Sequence, residues 1–250
     1  MFAMASFLGS SYQFHWDVLW QAPHGQWLLN GFLMTLKLTA VSWVFAVFLG
    51  LLFGTLRTTP FRILRLAASA YVEFFRNVPL LVWLFFWYFG APEVLPESVR
   101  EWVIHHGMEY WAAVAGISIY HGARMSEVIR TGIQSIPKTQ VESGMATGLS
   151  VFQTYRLVVI PIALRLVVPP MTNESLNLLK NSSLAMTIGV GELTFATRQI
   201  ETYTAKAFEA FTAGTLIYLG LCLGIAFVMN RLEKKFAIPG LIARTERVEH

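Results

Sequence analysis

The chain has 250 residues, of which 55% are hydrophobic and 14% charged, with a mean hydropathy of +0.52 and a formal net charge of +4. An ordinary soluble domain carries about 25% charged residues, so a fully water-facing surface is excluded; the apolar content excludes a disordered chain, and the single cysteine, Cys222, excludes a disulfide framework. What remains is an integral membrane protein, which the apolar runs predict to be all-α.

Residues 1–26 contain no Lys or Arg, so the basic n-region of a signal peptide is missing. They read as an amphipathic lead-in on the outer, periplasmic side. A membrane helix needs about 20 mainly apolar residues. Residues 27–56 meet this with a single charge, Lys37, for which snorkelling to the interface is one reading. The uncharged run 77–91, extended back to 71, predicts a second span, and 110–133 a third. A fourth, less regular, covers 157–191 around Arg165, Glu174 and Lys180. The fifth is 210–230. The expected organisation is a lead-in (1–26), a five-helix transmembrane domain (27–232) containing a cytoplasmic loop (134–161), and a tail (233–250).

Lys and Arg concentrate on the cytoplasmic side of membrane proteins. Twelve fall on one side of the predicted spans: Arg57, Arg62, Arg65, Arg130, Lys138, Arg156, Arg165, Arg231, Lys234, Lys235, Arg244 and Arg247. Three fall on the other: Arg100, Arg198 and Lys206. This predicts an outer N-terminus and a cytoplasmic C-terminus. It also accounts for most of the +4 without nucleic acid. The loop after the second span is acidic, with Glu93, Glu97, Glu101 and Glu109. No internal repeat is visible.

The loop from Ile136 to Pro161 has the strongest local grammar. Pro137 suits a first helical position, and Gly148 suits the position just past a helix end. Ser150 and Gln153 have capping-box spacing, and Pro161 is expected to punctuate again. Two short helices around a Gly turn are predicted. They serve either as a plain hairpin or, through Met145, Leu149, Val151 and Phe152, as an element that docks on a partner.

The same loop resembles the signature loop of ABC-importer permeases: Glu-Ala-Ala, three residues, Gly, nine residues, Ile-x-Leu-Pro. Glu142 and Gly148 stand at the right spacing, with Ala146 between them, and Val158, Val159, Ile160 and Pro161 form a conservative tail. Ser143 and Gly144 replace the two alanines and are also small. The stretches 75–82, 127–137, 168–172 and 177–184 are similar to the polar amino-acid uptake subfamily, and the similarity runs from about 27 to 240. Trp83 departs from it, standing where many relatives have Gln.

The resemblance implies a type I importer fold and a pore-forming subunit rather than an enzyme. It implies a multi-pass location in a bacterial inner membrane. A second permease subunit, identical or paralogous, would complete the pore. Two cytoplasmic ABC ATPases would dock around Glu142, Ala146, Gly148 and Pro161, and a periplasmic amino-acid-binding protein would deliver cargo. No P-loop pattern is present, so ATP use is assigned to the ATPase and no cofactor to this chain. The other class of transporter, ion-coupled, usually has more spans and internal repeats.

Charges inside spans are costly and mark function or pairing. Arg76 has Glu73 three residues earlier, an expected internal pair. Lys180 lies at the irregular part of the fourth span. Arg124 falls about 21 Å along the third span at 1.5 Å per residue. Either it pairs with Glu127, or it offers its fork to a cargo carboxylate. Acidic amino-acid permeases of the resembled family, for glutamate and aspartate, carry Arg there. Permeases for basic amino acids often have Asp at the position of Asn181, and Asn181 does not repel an acidic cargo. Ser182 and Ser183 add hydroxyls beside it, although span serines commonly bond their own backbone. The expected substrate group is therefore Arg124, Asn181, Ser182 and Ser183. His105, His106 and His121 form no metal-binding pattern, His121 standing alone in its span, and Asp17 has no evident partner.

Overall fold

A computed structural model describes residues 12–236. Among them the regular structure is all helical. After a short 3-10 turn (Trp16–Leu19) come α1 (His24–Leu56), α2 (Arg62–Arg76), α3 (Leu80–Phe85) and, beyond a π-turn (Phe86–Gly90), α4 (Ala91–Val94). Then follow α5 (Glu97–His105), α6 (Met108–Gln134), α7 (Lys138–Ala146) and α8 (Val151–Thr154). A π-turn (Tyr155–Val159) leads into α9 (Ile160–Ser182), a 3-10 turn (Ser183–Ile188), α10 (Leu193–Thr204) and α11 (Ala207–Phe236).

Helix α1 is inverted relative to a soluble helix. The residues it buries are mostly small: Gly31, Thr35, Ser42, Ala46, Gly50 and Gly54, spaced by four or seven residues along one helix face. Leu29, Leu33, Phe45, Phe48 and Leu51 face outward. Lipid supplies no hydrophobic drive between helices, so contact depends on backbones approaching closely over small residues. The partner is α6. A Cβ placed on Gly50 would meet the Met125 Cβ at 2.7 Å, and one on Gly122 would meet the Leu49 Cβ at 2.8 Å. The two glycines thus admit each other's helix.

Helix α6 is the centre of the fold, touching α1, α2, α3, α5 and α9. Ala113, Ile117, His121, Ala123 and Met125 are fully buried. Three helical segments are long and apolar enough to cross a membrane: His24–Leu56, Phe152–Ile188 and Ala207–Lys235, with Arg62–Arg76 and Leu80–Val94 a possible fourth as a bent pair. Helix α6 is not among them, because Glu109, His121, Arg124, Glu127 and Arg130 lower its hydropathy.

Two expectations need correction. The second predicted span, 71–91, is not one straight helix. Residues up to Arg76 belong to α2, and the chain bends by 99° before Leu80. Pro79 donates no backbone hydrogen bond and pushes Val78 toward extended geometry, while the Trp83 indole N–H bridges the bend to the Phe75 carbonyl at 3.1 Å. Nor does Pro161 end a helix. The chain from Phe152 to Ile188 runs on through it as one helical segment. The π-turn immediately before Pro161 widens the helix where the ring would press on the carbonyl of Leu157.

The lead-in docks on the start of α11: the Tyr12 hydroxyl and the His15 backbone N–H both donate to the buried Glu209 carboxylate, at 2.6 and 2.8 Å. Asp17 does have a partner, accepting from Gln21 at 2.7 Å. The tail expected at 233–250 lies outside the described residues beyond 236.

Overpacking a tight contact costs about 1–3 kcal/mol. Gly50→Val is therefore expected to lower the midpoint of thermal unfolding in detergent. Val44→Ala, on the outward face of α1, should leave it nearly unchanged.

Candidate functional site

Two groups of charge lie inside the helical bundle. The first joins α6 to α9. His121 and Arg124 stand one turn apart on α6, and Glu174 and Asn181 two turns apart on α9. Arg124 donates from Nε and Nη2 to the two carboxylate oxygens of Glu174, both at 2.9 Å. This is the parallel fork geometry that only Arg supplies. Its side chain is 40% exposed against 10% for Glu174, and Nη1 has no hydrogen-bond partner among the described residues. The guanidinium also lies 5.9 Å from the Tyr120 ring centre.

His121 is fully buried and belongs to this group. Its Nε2 accepts from the Asn181 amide at 3.1 Å, which places the proton on Nδ1, 3.5 Å from Glu174. Trp43 of α1 closes the group by donating to Ser175 at 2.8 Å. The alternative that Arg124 pairs with Glu127 is overturned, and so is the solitary His121. The burial of Glu174 explains both: a carboxylate within lipid depth has to be compensated, and α9 brings it to the face of α6 that carries His121 and Arg124.

The second group ties together the ends of α1, α2 and α6. Glu127 accepts from Arg57 and Arg130 and lies 3.8 Å from Arg76. Arg76 also pairs with Glu73 at 3.2 Å, as its spacing implied. Three cations draw Glu127 away from Arg124. Lys37 rests 4.6 Å from the Tyr110 ring centre, a cation–π contact rather than free snorkelling.

The hydroxyls of Ser182 and Ser183 each donate at 2.7 Å to backbone carbonyls, of Leu179 and Lys180. They shape the change from α9 to the 3-10 turn. Lys180 itself is exposed.

The loop follows its local grammar up to Pro161. Gly148 has φ +88° just past α7, where a side chain would be strained. Ser150 and Gln153 exchange the two capping-box bonds, at 2.9 and 3.3 Å. Gly144 is buried, and a Cβ there would meet the Thr154 methyl at 2.8 Å, so α7 and α8 touch through it. Pro137 sits one position outside α7 rather than inside it. Glu142, Ala146, Met145 and Tyr155 remain exposed, and Phe152 is 73% exposed. Trp83 is buried at the α2–α3 bend.

Glu174, His121 and Arg57 are the residues whose roles sequence reasoning missed. The available signal was a carboxylate, Glu174, inside an apolar run, which demands a partner. Among the described residues, no group of three His, Cys, Asp or Glu could hold a metal.

Comparison with known proteins agrees with this architecture. Residues 46–238 match the family of binding-protein-dependent transport system inner membrane components. The glutamate/aspartate import permease protein GltJ of Escherichia coli K12 is 39% identical over 92% of this chain and 98% of its own. A probable glutamine ABC transporter permease protein, GlnP of Bacillus subtilis, is 34% identical over 91% and 97%. Among solved structures, an amino acid ABC transporter with histidines superimposes with a TM-score of 0.75 at 27% identity, covering 90% of this chain and all of that one. The MetNI methionine ABC transporter shares the fold, with a TM-score of 0.65 at 22% identity, over 87% of this chain and all of that one.

Removing one partner of a charged hydrogen-bonded pair costs about 1.5–3 kcal/mol, with the lower part of that range expected where one partner is part-exposed. Glu174→Ala is expected to destabilise the protein by that amount. A double-mutant cycle with Arg124→Ala, read by thermal unfolding, should show the two losses to be strongly non-additive.

Proposed function

The chain belongs to the family of binding-protein-dependent transport system inner membrane components and is an amino-acid permease of ABC-importer type, and from that premise we propose that its cargo is glutamate or aspartate. The observation that carries the reading is the Arg124 fork, held to Glu174 through Nε and Nη2 while Nη1 has no hydrogen-bond partner among the described residues and the side chain is 40% exposed. A cargo carboxylate can accept from that free edge. Glu174 fixes the plane of the guanidinium, so little rotamer entropy is lost when the cargo binds. The likeness to GltJ supports the same cargo.

A second reading is a neutral amino acid such as glutamine. It is favoured by the pairing itself, because Glu174 cancels the Arg124 charge, and by the glutamine permease relatives.

The remaining machinery follows from the family. Five spans, an outer N-terminus and a cytoplasmic C-terminus would set the 134–161 loop on the cytoplasmic side. The bend at Asn77–Pro79 makes the second of these spans a broken one. Two ATPases would seat on α7 and the exposed Met145, Phe152 and Tyr155, hydrolyse the ATP and pull on the loop, with Glu142 bracing the contact and Gly148 giving the turn. This chain would bind no nucleotide. A second permease, a further copy or a paralogue, would complete the pore, and a periplasmic binding protein would deliver the amino acid.

Uptake in proteoliposomes holding the complete importer tests the cargo. Wild type is expected to take up glutamate in preference to glutamine, dependent on ATP and the binding protein and independent of a proton gradient. Arg124→Ala should lower glutamate uptake at least tenfold, the size of a lost charged hydrogen bond; unchanged uptake by an assembled complex refutes the assignment. Glu142→Ala is expected to weaken co-purification of the ATPase subunits while leaving the permease folded.

A further inference from the structure

Past the end of α9 and its 3-10 turn lies a cleft of about 400 Å³ lined by Met186, Phe195, Arg198, Gln199, Thr202 and Tyr203. It is at the end of the molecule opposite α7. Helix α10 packs on the first turns of α1, where Gly31 faces Ala196 and the Thr35 hydroxyl accepts from the Leu193 backbone at 3.0 Å. The Tyr203 and Trp27 rings meet there at 5.4 Å.

The cleft stands on a well-anchored helix. Glu192, fully buried, caps α10 by accepting from the Thr194 and Phe195 backbone N–H groups at 2.9 and 2.8 Å, and also accepts from the Tyr218 hydroxyl at 2.6 Å. Leu193, Ala196, Thr197 and Ile200 are buried. The opposite face, with Phe195, Arg198, Gln199 and Thr202 at helical spacing, is left to the cleft. A rigid helix therefore presents one guanidinium, an amide, a hydroxyl and a phenol beside two apolar walls, in a volume within the range of small-molecule sites.

The charge distribution singles out Arg198. Of the three basic residues read from the sequence as outer, Arg100 lies 3.9 Å from Glu97 and Lys206 lies 5.8 Å from the Tyr12 ring centre. Arg198 has neither an ion pair nor a side-chain hydrogen bond among the described residues. On α6, by contrast, Arg124 is already compensated by Glu174. An uncompensated guanidinium in a concave wall concentrates carboxylates and orients them by its fork.

We propose that the Arg198 cleft is a receiving site for a carboxylate of an amino-acid cargo, occupied before the cargo reaches the Arg124–Glu174 pair. This rests on the amino-acid importer reading above. Arg198 holds the carboxylate and the Gln199 amide can donate to it; the Thr202 hydroxyl, which donates to the Arg198 backbone carbonyl at 2.9 Å, can accept from the cargo ammonium, and Met186 and Phe195 shield the aliphatic part. The 3-10 turn Ser183–Ile188, which carries Met186, connects the cleft to Asn181 of the deeper group.

The test is binding of radiolabelled glutamate to the detergent-solubilised importer complex without its delivery protein, with assembly checked by size-exclusion chromatography. Arg198→Ala is expected to weaken glutamate binding at least tenfold. Arg198→Lys, which keeps the charge and loses the fork, should fall in between. Unchanged binding in an assembled Arg198→Ala complex overturns the proposal. So does unchanged binding accompanied by weaker association of the delivery protein, which would make Arg198 a protein-docking residue. Glutamine serves as the second probe. A wild-type complex that binds glutamine as tightly as glutamate sinks the acidic-cargo reading, and an equal loss of both on Arg198→Ala then still supports the cleft.

Discussion

Close approach of α1 and α6 is the constraint on which the rest of this structure depends. In lipid, large apolar side chains gain nothing by leaving one hydrocarbon for another. The bundle is therefore held where backbones can touch, at Gly50 against Met125 and Gly122 against Leu49. With α6 seated this way, α2, α3, α5 and α9 assemble around it. Large residues turn outward as a consequence: Phe45 and Phe48 of α1 are exposed on the outside of the bundle rather than buried in its core.

Because α6 is enclosed by protein, it can carry polar groups that a lipid-facing helix could not. His121, Arg124 and Glu127 all lie on it, and each has a partner from elsewhere in the chain: Asn181 and Glu174 of α9, and Arg57 just past the end of α1. The pairing divides the charge into two compartments. The α6–α9 group is compensated and part-open. The group around Glu127 ties three helix ends together and has more cations than carboxylates. Arg198, outside both, has no ion pair among the described residues. A cargo path that combines an uncompensated outer cation with a compensated inner pair would attract an anion and still release it.

Legibility in the sequence followed the range of the interactions. The α7–α8 turn was readable because its determinants are local. Gly148 supplies the left-handed residue, Ser150 and Gln153 the reciprocal cap, and Gly144 the space for Thr154. Pro161 misled because its local effect is real but was absorbed by a neighbouring π-turn. The run 71–91 misled in a similar way. Its apolarity is continuous, but Pro79 and the Trp83 bridge to Phe75 fold it on itself. The partner of Arg124 was out of reach because i+3 spacing favours Glu127 on paper, while the true contact spans fifty positions.

The sequence by itself determined the membrane class, the asymmetry of basic residues, the Glu73–Arg76 pair and the Gly148 turn with its Ser150–Gln153 cap, since composition and short-range hydrogen bonding decide all four. Only the tertiary structure decided which carboxylate holds Arg124, that His121 and Asn181 join it, and that Arg198 lines a cleft without an ion pair among the described residues. The reason is physical: a charge at membrane depth must be compensated, but the identity of its partner depends on which helix faces it, and that is set by backbone packing over small residues rather than by any local pattern.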